Sequence, residues 1–149
     1  MEIKDVPETK TLAVNLTVPA SGLPEAIGKT YAQIGAFMGA KGIPMTGAPY
    51  VLYRNMDMDA LDIEIGFPAA PGSEGEGDIR PSVIPAGRVV TTIHLGPYGE
   101  LEKTYTKVSE FAAQRNITLS PWMYESYLNS PEDTPPEELQ TQLYFPIQG

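Results

Sequence analysis

The chain repeats itself, and the repeat limits what it can fold into. Moved along by 74 positions, residues 23–55 fall on residues 97–129. Lys29-Thr30-Tyr31 meets Lys103-Thr104-Tyr105, and Ile27, Ile34, Phe37 and Met38 meet Leu101, Val108, Phe111 and Ala112. Tyr50, Tyr53 and Asn55 meet Tyr124, Tyr127 and Asn129; further on, an offset of 78 sets Phe67-Pro68 on Phe145-Pro146. A half of about 70 residues is only marginally stable alone, so two small units sharing a core are expected. One mismatch stands out: Val51 of the first copy is Glu125 in the second.

Local patterns give each copy the order strand, helix, strand, strand. Residues 11–18 alternate and are rich in strand formers. Pro24 suits a first helical turn, and Ile27, Tyr31, Ile34 and Met38 repeat on one helix face to about Ala40, with Gly42 as the stop. Strands are predicted over 49–54 and 60–67. In the second, Leu61, Ile63, Ile65 and Phe67 face one way and Glu64 and Gly66 the other. Residues 68–78, rich in Pro, Gly and acids, read as a flexible linker, followed by a short extended piece near 79–84. The second copy predicts a strand at 88–95, a helix at about 98–115, and strands at 121–128 and 140–146. Asn129 to Glu138 reads as an exposed excursion. The expected domain is thus single: repeat 1 about 8–68, linker 69–78, repeat 2 about 79–147. The expected fold is α+β, a duplicated strand-helix-strand-strand module forming one antiparallel sheet. Two long helices would cover one face, toward which Leu139, Thr141, Leu143 and Phe145 also point. Glu64, Gly66, Gln142 and Tyr144 would lie on the opposite face, with a ligand cleft at the pseudo-twofold axis.

Bulk properties narrow the function. A net charge of −9 disfavours direct nucleic-acid binding, which draws on clustered Lys and Arg. Within a screening length of about 8–10 Å it biases mildly toward cationic ligands. No apolar run approaches the roughly 20 residues of a membrane span, and Met1-Glu2-Ile3-Lys4-Asp5 is no apolar signal region, so no membrane partner and a cytoplasmic location are expected. One histidine and no cysteine argue against zinc. No Walker or dinucleotide fingerprint occurs, so no cofactor is expected.

The chemistry-bearing residues gather late in the chain. On a strand, Met123, Glu125 and Tyr127 share a face. Glu125 is either a half-exposed surface glutamate or a functional carboxylate; Val51 at the sister position and the aromatic neighbours favour the second. A desolvated carboxylate needs a cation or donor to stay charged, and aromatic faces add about 0.5–2 kcal/mol each to a bound cation. Tyr31 and Tyr105 read as helix core. Tyr53, Tyr98, Tyr127 and Tyr144 are expected at strand ends or on the open face, as pocket lining or ordinary strand residues. Trp122 is a pocket wall or a surface plug. His94 is structural beside its glycine turn or, with Val90 and Thr92 on the open face, an approach to Glu125. Asp57 and Asp59 read as a solvated turn.

Taken in order, Asp62-Ile63-Glu64, Phe67-Pro68, Pro85-Ala86-Gly87, His94-Leu95-Gly96-Pro97-Tyr98, Tyr124-Glu125-Ser126-Tyr127-Leu128-Asn129-Ser130-Pro131 and Leu143-Tyr144-Phe145-Pro146 resemble the GyrI-like small-molecule-binding domain. This is also the effector-binding domain of AraC-type and MerR-type multidrug regulators, in the SOUL-like superfamily. The resemblance covers about residues 8–147. It implies a cleft for hydrophobic, often cationic aromatic compounds, with Glu125 against the ligand's charge and Tyr98, Tyr144, Tyr53 and Tyr127 as aromatic lining. Trp122, Gln142, Glu64 and His94 complete the candidate set. Gln142 stands where regulators of the family often carry a second acid. The resemblance also implies two alternatives. One is a hydrolase of cyclopropane-containing electrophiles, with Glu125 as general base and Tyr98 or Tyr144 as donor. The other is a gyrase-inhibitor-like interaction module, with gyrase or a regulator as partner.

Overall fold

The computed structural model describes residues 1–130 and 132–148; Pro131 of the last-but-one motif lies outside them. The fold is mixed α+β, with eight antiparallel strands and two long helices. Its strands are β1 (Glu2–Val6), β2 (Thr9–Val18), β3 (Tyr50–Tyr53), β4 (Leu61–Pro68), β5 (Arg80–Ile84), β6 (Gly87–Leu95), β7 (Met123–Tyr127) and β8 (Gln140–Pro146). The helices are α1 (Leu23–Lys41) and α2 (Leu101–Gln114), each entered through one 3-10 turn.

The chain divides into two compact units, Pro7–Ala86 on one side and Met1–Val6 with the chain from Gly87 onward on the other. The first unit holds the strand order β3-β4-β2-β5 with α1, the second β1-β6-β8-β7 with α2. The predicted strand-helix-strand-strand module therefore occurs twice, as β2-α1-β3-β4 and β6-α2-β7-β8. Each acquires one extra edge strand beside its first strand, and the two come from different places. β5 follows the first module and pairs with β2, Thr9 opposite Ile84. β1 precedes that module in sequence yet pairs with β6 of the second, Ile3 opposite Val90. The short extended piece thus closes the first unit rather than leading into the second. Nor is the segment before it wholly loose: Glu76 and Ile79 exchange backbone hydrogen bonds at 2.8 and 3.0 Å, and Ile79 is buried in the first unit's core.

In the first unit α1 packs Ile34 and Met38 against Leu12, Val14 and Phe67, with Leu16 and Tyr31 at the margin. The helix stops at Gly42, whose φ of +67° suits glycine, and the Ile43 N–H closes back on Met38 O at 2.9 Å. The register sets Leu12, Val14 and Leu16 opposite Phe67, Ile65 and Ile63, so these six share the helix side of the sheet. Val51 and Tyr53 pair with Ile65 and Ile63 on that same side.

The opposite face carries a polar clasp. Glu64, 2 % exposed, accepts from Tyr50 Oη at 2.6 Å, Ser82 Oγ at 2.8 Å and Arg54 Nη2 at 3.1 Å, while Tyr50 Oη lies 2.9 Å from Thr11 Oγ1. One side chain from each of the four strands enters this network, and Arg54, just past β3, supplies the compensating charge. Burial, with the charge of Glu64, holds the Tyr50 phenol well above its ordinary range, so it stays a donor. The ring of Tyr50 reaches Glu64 because Gly66, its strand partner, has no side chain. A Cβ there would meet Leu12 O at 2.6 Å, Ala13 Cβ at 2.8 Å and Tyr50 Cε1 at 3.0 Å. Gly66→Ala is therefore expected to cost about 1–3 kcal/mol in urea unfolding; an unchanged midpoint would refute this account of the glycine.

Candidate functional site

β7 places Met123, Glu125 and Tyr127 on one face, as expected, but that face is the helix side. Glu125 lies opposite Leu143, and Leu143 opposite Thr92; Tyr127 lies opposite Thr141, and Thr141 opposite His94. From α2, Tyr105 reaches across and donates its hydroxyl to Glu125 Oε2, while Tyr127 donates to Oε1 at 2.9 Å. Glu125 is 1 % exposed, so it is not a surface glutamate. Burial pushes its pKa above the ordinary carboxylate value, and the two phenol donors pull it partly back. Among the described residues no Lys, Arg or His forms an ion pair with it, in contrast to the Arg54–Glu64 pair.

A wall of rings surrounds this carboxylate. Tyr98, in the 3-10 turn before α2, meets Tyr127 edge-on with centroids 5.6 Å apart. Tyr105 meets Phe145 in a T-shaped contact at 5.8 Å. Tyr98 is 38 % exposed and forms the outer end of this cluster. Its phenol pKa is raised, first by burial and then by the negative charge of Glu125. Tyr105, read from sequence as helix core, is the residue missed. Its match to Tyr31 disguised it, and Glu125 replacing Val51 was the available signal.

Strand parity separates the remaining candidates. Trp122, Tyr124 and Tyr144 stack on the opposite face of the same sheet, with interplanar angles of 17° and 10°. Gln142 lies there too, donating to Thr91 Oγ1 at 3.2 Å. They do not join Glu125. Glu64, on the corresponding face of the first unit, already accepts from three donors. Tyr53 is buried on the helix side of the first unit. His94 shares the face of Glu125, but this is the helix side rather than the open one, and its ring nitrogens engage Thr104 and Pro97.

The two units differ most where the site stands. By register, Leu16 pairs with Ile63 in the first unit where His94 pairs with Thr141 in the second, and Val51 is replaced by Glu125. Three apolar helix-side positions of one module are polar in the other. Thr141 Oγ1 is buried without a hydrogen-bond partner among the described residues.

With this geometry in view, the family is decided by a match over residues 1–148 to the GyrI-like small molecule binding domain. The chain belongs to the GyrI-like family. Among solved structures, the C-terminal domain of EcmrR is 26% identical, with a TM-score of 0.86 over 99% of this chain and 96% of its own. SAV2435 bound to tetraphenylphosphonium is 12% identical, with a TM-score of 0.71 over 99% of this chain and 93% of its own. A hydrolase from Listeria innocua is 20% identical, with a TM-score of 0.70 over 99% and 91%. These last two likenesses are of fold alone. No match is found among curated proteins. No described helix is long and apolar enough to cross a membrane.

The burial of Glu125 has a measurable signature. Because its pKa is raised in the folded state, there is a window above the ordinary carboxylate value in which the folded protein keeps a proton that the unfolded chain has lost. Its contribution to stability is present in full below that window and is lost as pH rises through the folded-state pKa, by at most about 1.4 kcal/mol per pH unit. Urea unfolding across this range is expected to show the decline in wild type and its absence in Glu125→Gln. Parallel profiles would place the titration elsewhere.

Proposed function

We propose that this GyrI-like domain binds hydrophobic, cationic aromatic small molecules, with Glu125 selecting for positive charge. The observation that carries this reading is a nearly fully buried carboxylate held by two phenols, with no ion pair to it among the described residues. Burial disfavours its charge, and two neutral donors offset that only in part. A ligand cation supplies the missing Coulomb energy, and the faces of Tyr98 and Tyr127 add about 0.5–2 kcal/mol each where a cation sits over them. Gln142 lies on the other face of the sheet, so in this reading charge selection rests on Glu125.

Tetraphenylphosphonium, carried by SAV2435 of the same fold, is a suitable probe, with triphenylphosphine oxide as a neutral comparison. Calorimetric titration is expected to give Glu125→Gln about tenfold weaker binding of the cation, about 1.4 kcal/mol, and little change for the oxide. Equal losses for both compounds would sink charge selection. Lowering the pH through the raised Glu125 pKa should weaken the cation in wild type only.

The raised basicity of Glu125 also favours a second reading, hydrolysis of a cyclopropane-containing electrophile. Water, giving its proton to Glu125, bonds to a ring carbon. The strained C–C bond breaks toward an electron-accepting group of the substrate, which Tyr98 protonates. Under single turnover, mass spectrometry would show substrate gaining one water. Unchanged substrate with protein in excess would dismiss the reaction for that compound.

A further inference from the structure

His94 Nε2 lies 3.1 Å from the Pro97 carbonyl oxygen, and Nδ1 lies 2.6 Å from Thr104 Oγ1. A carbonyl only accepts, so Nε2 donates; in the neutral ring Nδ1 then accepts from the Thr104 hydroxyl. The imidazole is 7 % exposed and links the end of β6, the first turns of α2 and the turn between them. That turn is conformationally demanding. Gly96 has φ +129°, a region open to glycine, and its N–H donates to Leu139 O at 2.8 Å. The Pro97 carbonyl then takes two donors, the Glu100 N–H at 3.1 Å and His94. Tyr98 is the first residue of the turn so fastened, and its ring rests on Tyr127, the donor to Glu125.

The module does not need an imidazole to fold. The sister unit has Leu16 at the position of His94, packed beside its core, and keeps a buried Thr30 where α2 has Thr104. The imidazole occurs in the unit that carries the buried glutamate held by two phenols. We propose that His94 is a positioning residue: by tying the Pro97 carbonyl to Thr104 of α2, it sets the Tyr98 ring against Tyr127 and so shapes the aromatic wall beside Glu125. Its consequence for affinity rests on the binding function proposed above; the ring placement does not.

Ring-to-ring nuclear Overhauser effects between Tyr98 and Tyr127, measured on the ligand-free full chain, test the placement directly. His94→Leu, which installs the sister unit's residue, is expected to abolish them. His94→Gln, whose amide can still donate to the Pro97 carbonyl, should restore them. Thr104→Val, similar in shape and lacking the hydroxyl, should weaken them and carries the test should His94→Leu fail to fold. Unchanged cross-peaks in the folded Leu or Val variant overturn the proposal. Titration with tetraphenylphosphonium then reads the consequence. His94→Leu is expected to weaken binding about tenfold in the wild-type background and not at all further in Tyr98→Ala, the non-additivity of residues that act through one another. Equal losses in both backgrounds overturn the link through Tyr98. A wild type that binds no tetraphenylphosphonium, with the cross-peaks behaving as stated, removes charge-selective binding and leaves the positioning role standing.

Discussion

A carboxylate removed from water must be neutralised, paired or surrounded by donors, and this chain buries two of them in different ways. Glu64 is paired: Arg54, Ser82 and Tyr50 occupy its oxygens, and with Thr11 on Tyr50 the network joins four strands. Glu125, among the described residues, has only the phenols of Tyr105 and Tyr127. The first arrangement includes a compensating charge, while the second shows no ion pair among the described residues. Much of the second unit's inner face follows from that difference, since the aromatic ring contacts, the raised Tyr98 phenol and the polar His94–Thr141 pair cluster around the incomplete site.

Duplication supplied the contrast. One module can keep an apolar helix-side face, Leu16, Val51 and Ile63, and so contribute a well-packed core. The other is then free to spend stability on Glu125, His94 and Thr141, because a protein can carry a few costly polar groups if the rest is well packed. The outer faces diverged in the opposite sense. Tyr50 lies over Gly66 and reaches Glu64, whereas Tyr124 stacks on Tyr144, which by the repeat stands where Gly66 does, and Gln142 stands where Glu64 does.

Most of the fold was legible. Alternation and the Gly42 stop placed β2, α1, β3 and β4 within a residue or two, and the repeat carried the same elements to β6 through β8. β1 was not legible: Glu2-Ile3-Lys4-Asp5-Val6 is too short and charged to announce a strand, and it exists because β6 offers an open edge. For the site, parity puts Glu125 and Tyr127 on one face, and the mismatch with Val51 points to a carboxylate that the structure buries. Parity alone cannot say which side of a sheet a helix will cover. Sequence therefore groups Trp122, Tyr144 and Gln142 with a carboxylate that lies on the other face, and reads Tyr105 as packing where its hydroxyl bonds Glu125.

The exchange of edge strands also orders events during synthesis. The first unit is one unbroken stretch, Pro7–Ala86, and every partner it needs has left the ribosome when Ala86 does. The unit that holds Glu125 is stitched from the two ends of the chain, with β1 waiting for β6 some eighty residues later and β7 waiting for β8 near the end. Long-range pairings of this kind form slowly, and amino-terminal units fold first during translation. The first unit, whose buried carboxylate is fully paired, thus has the means to mature early, before the unit that holds Glu125 is complete.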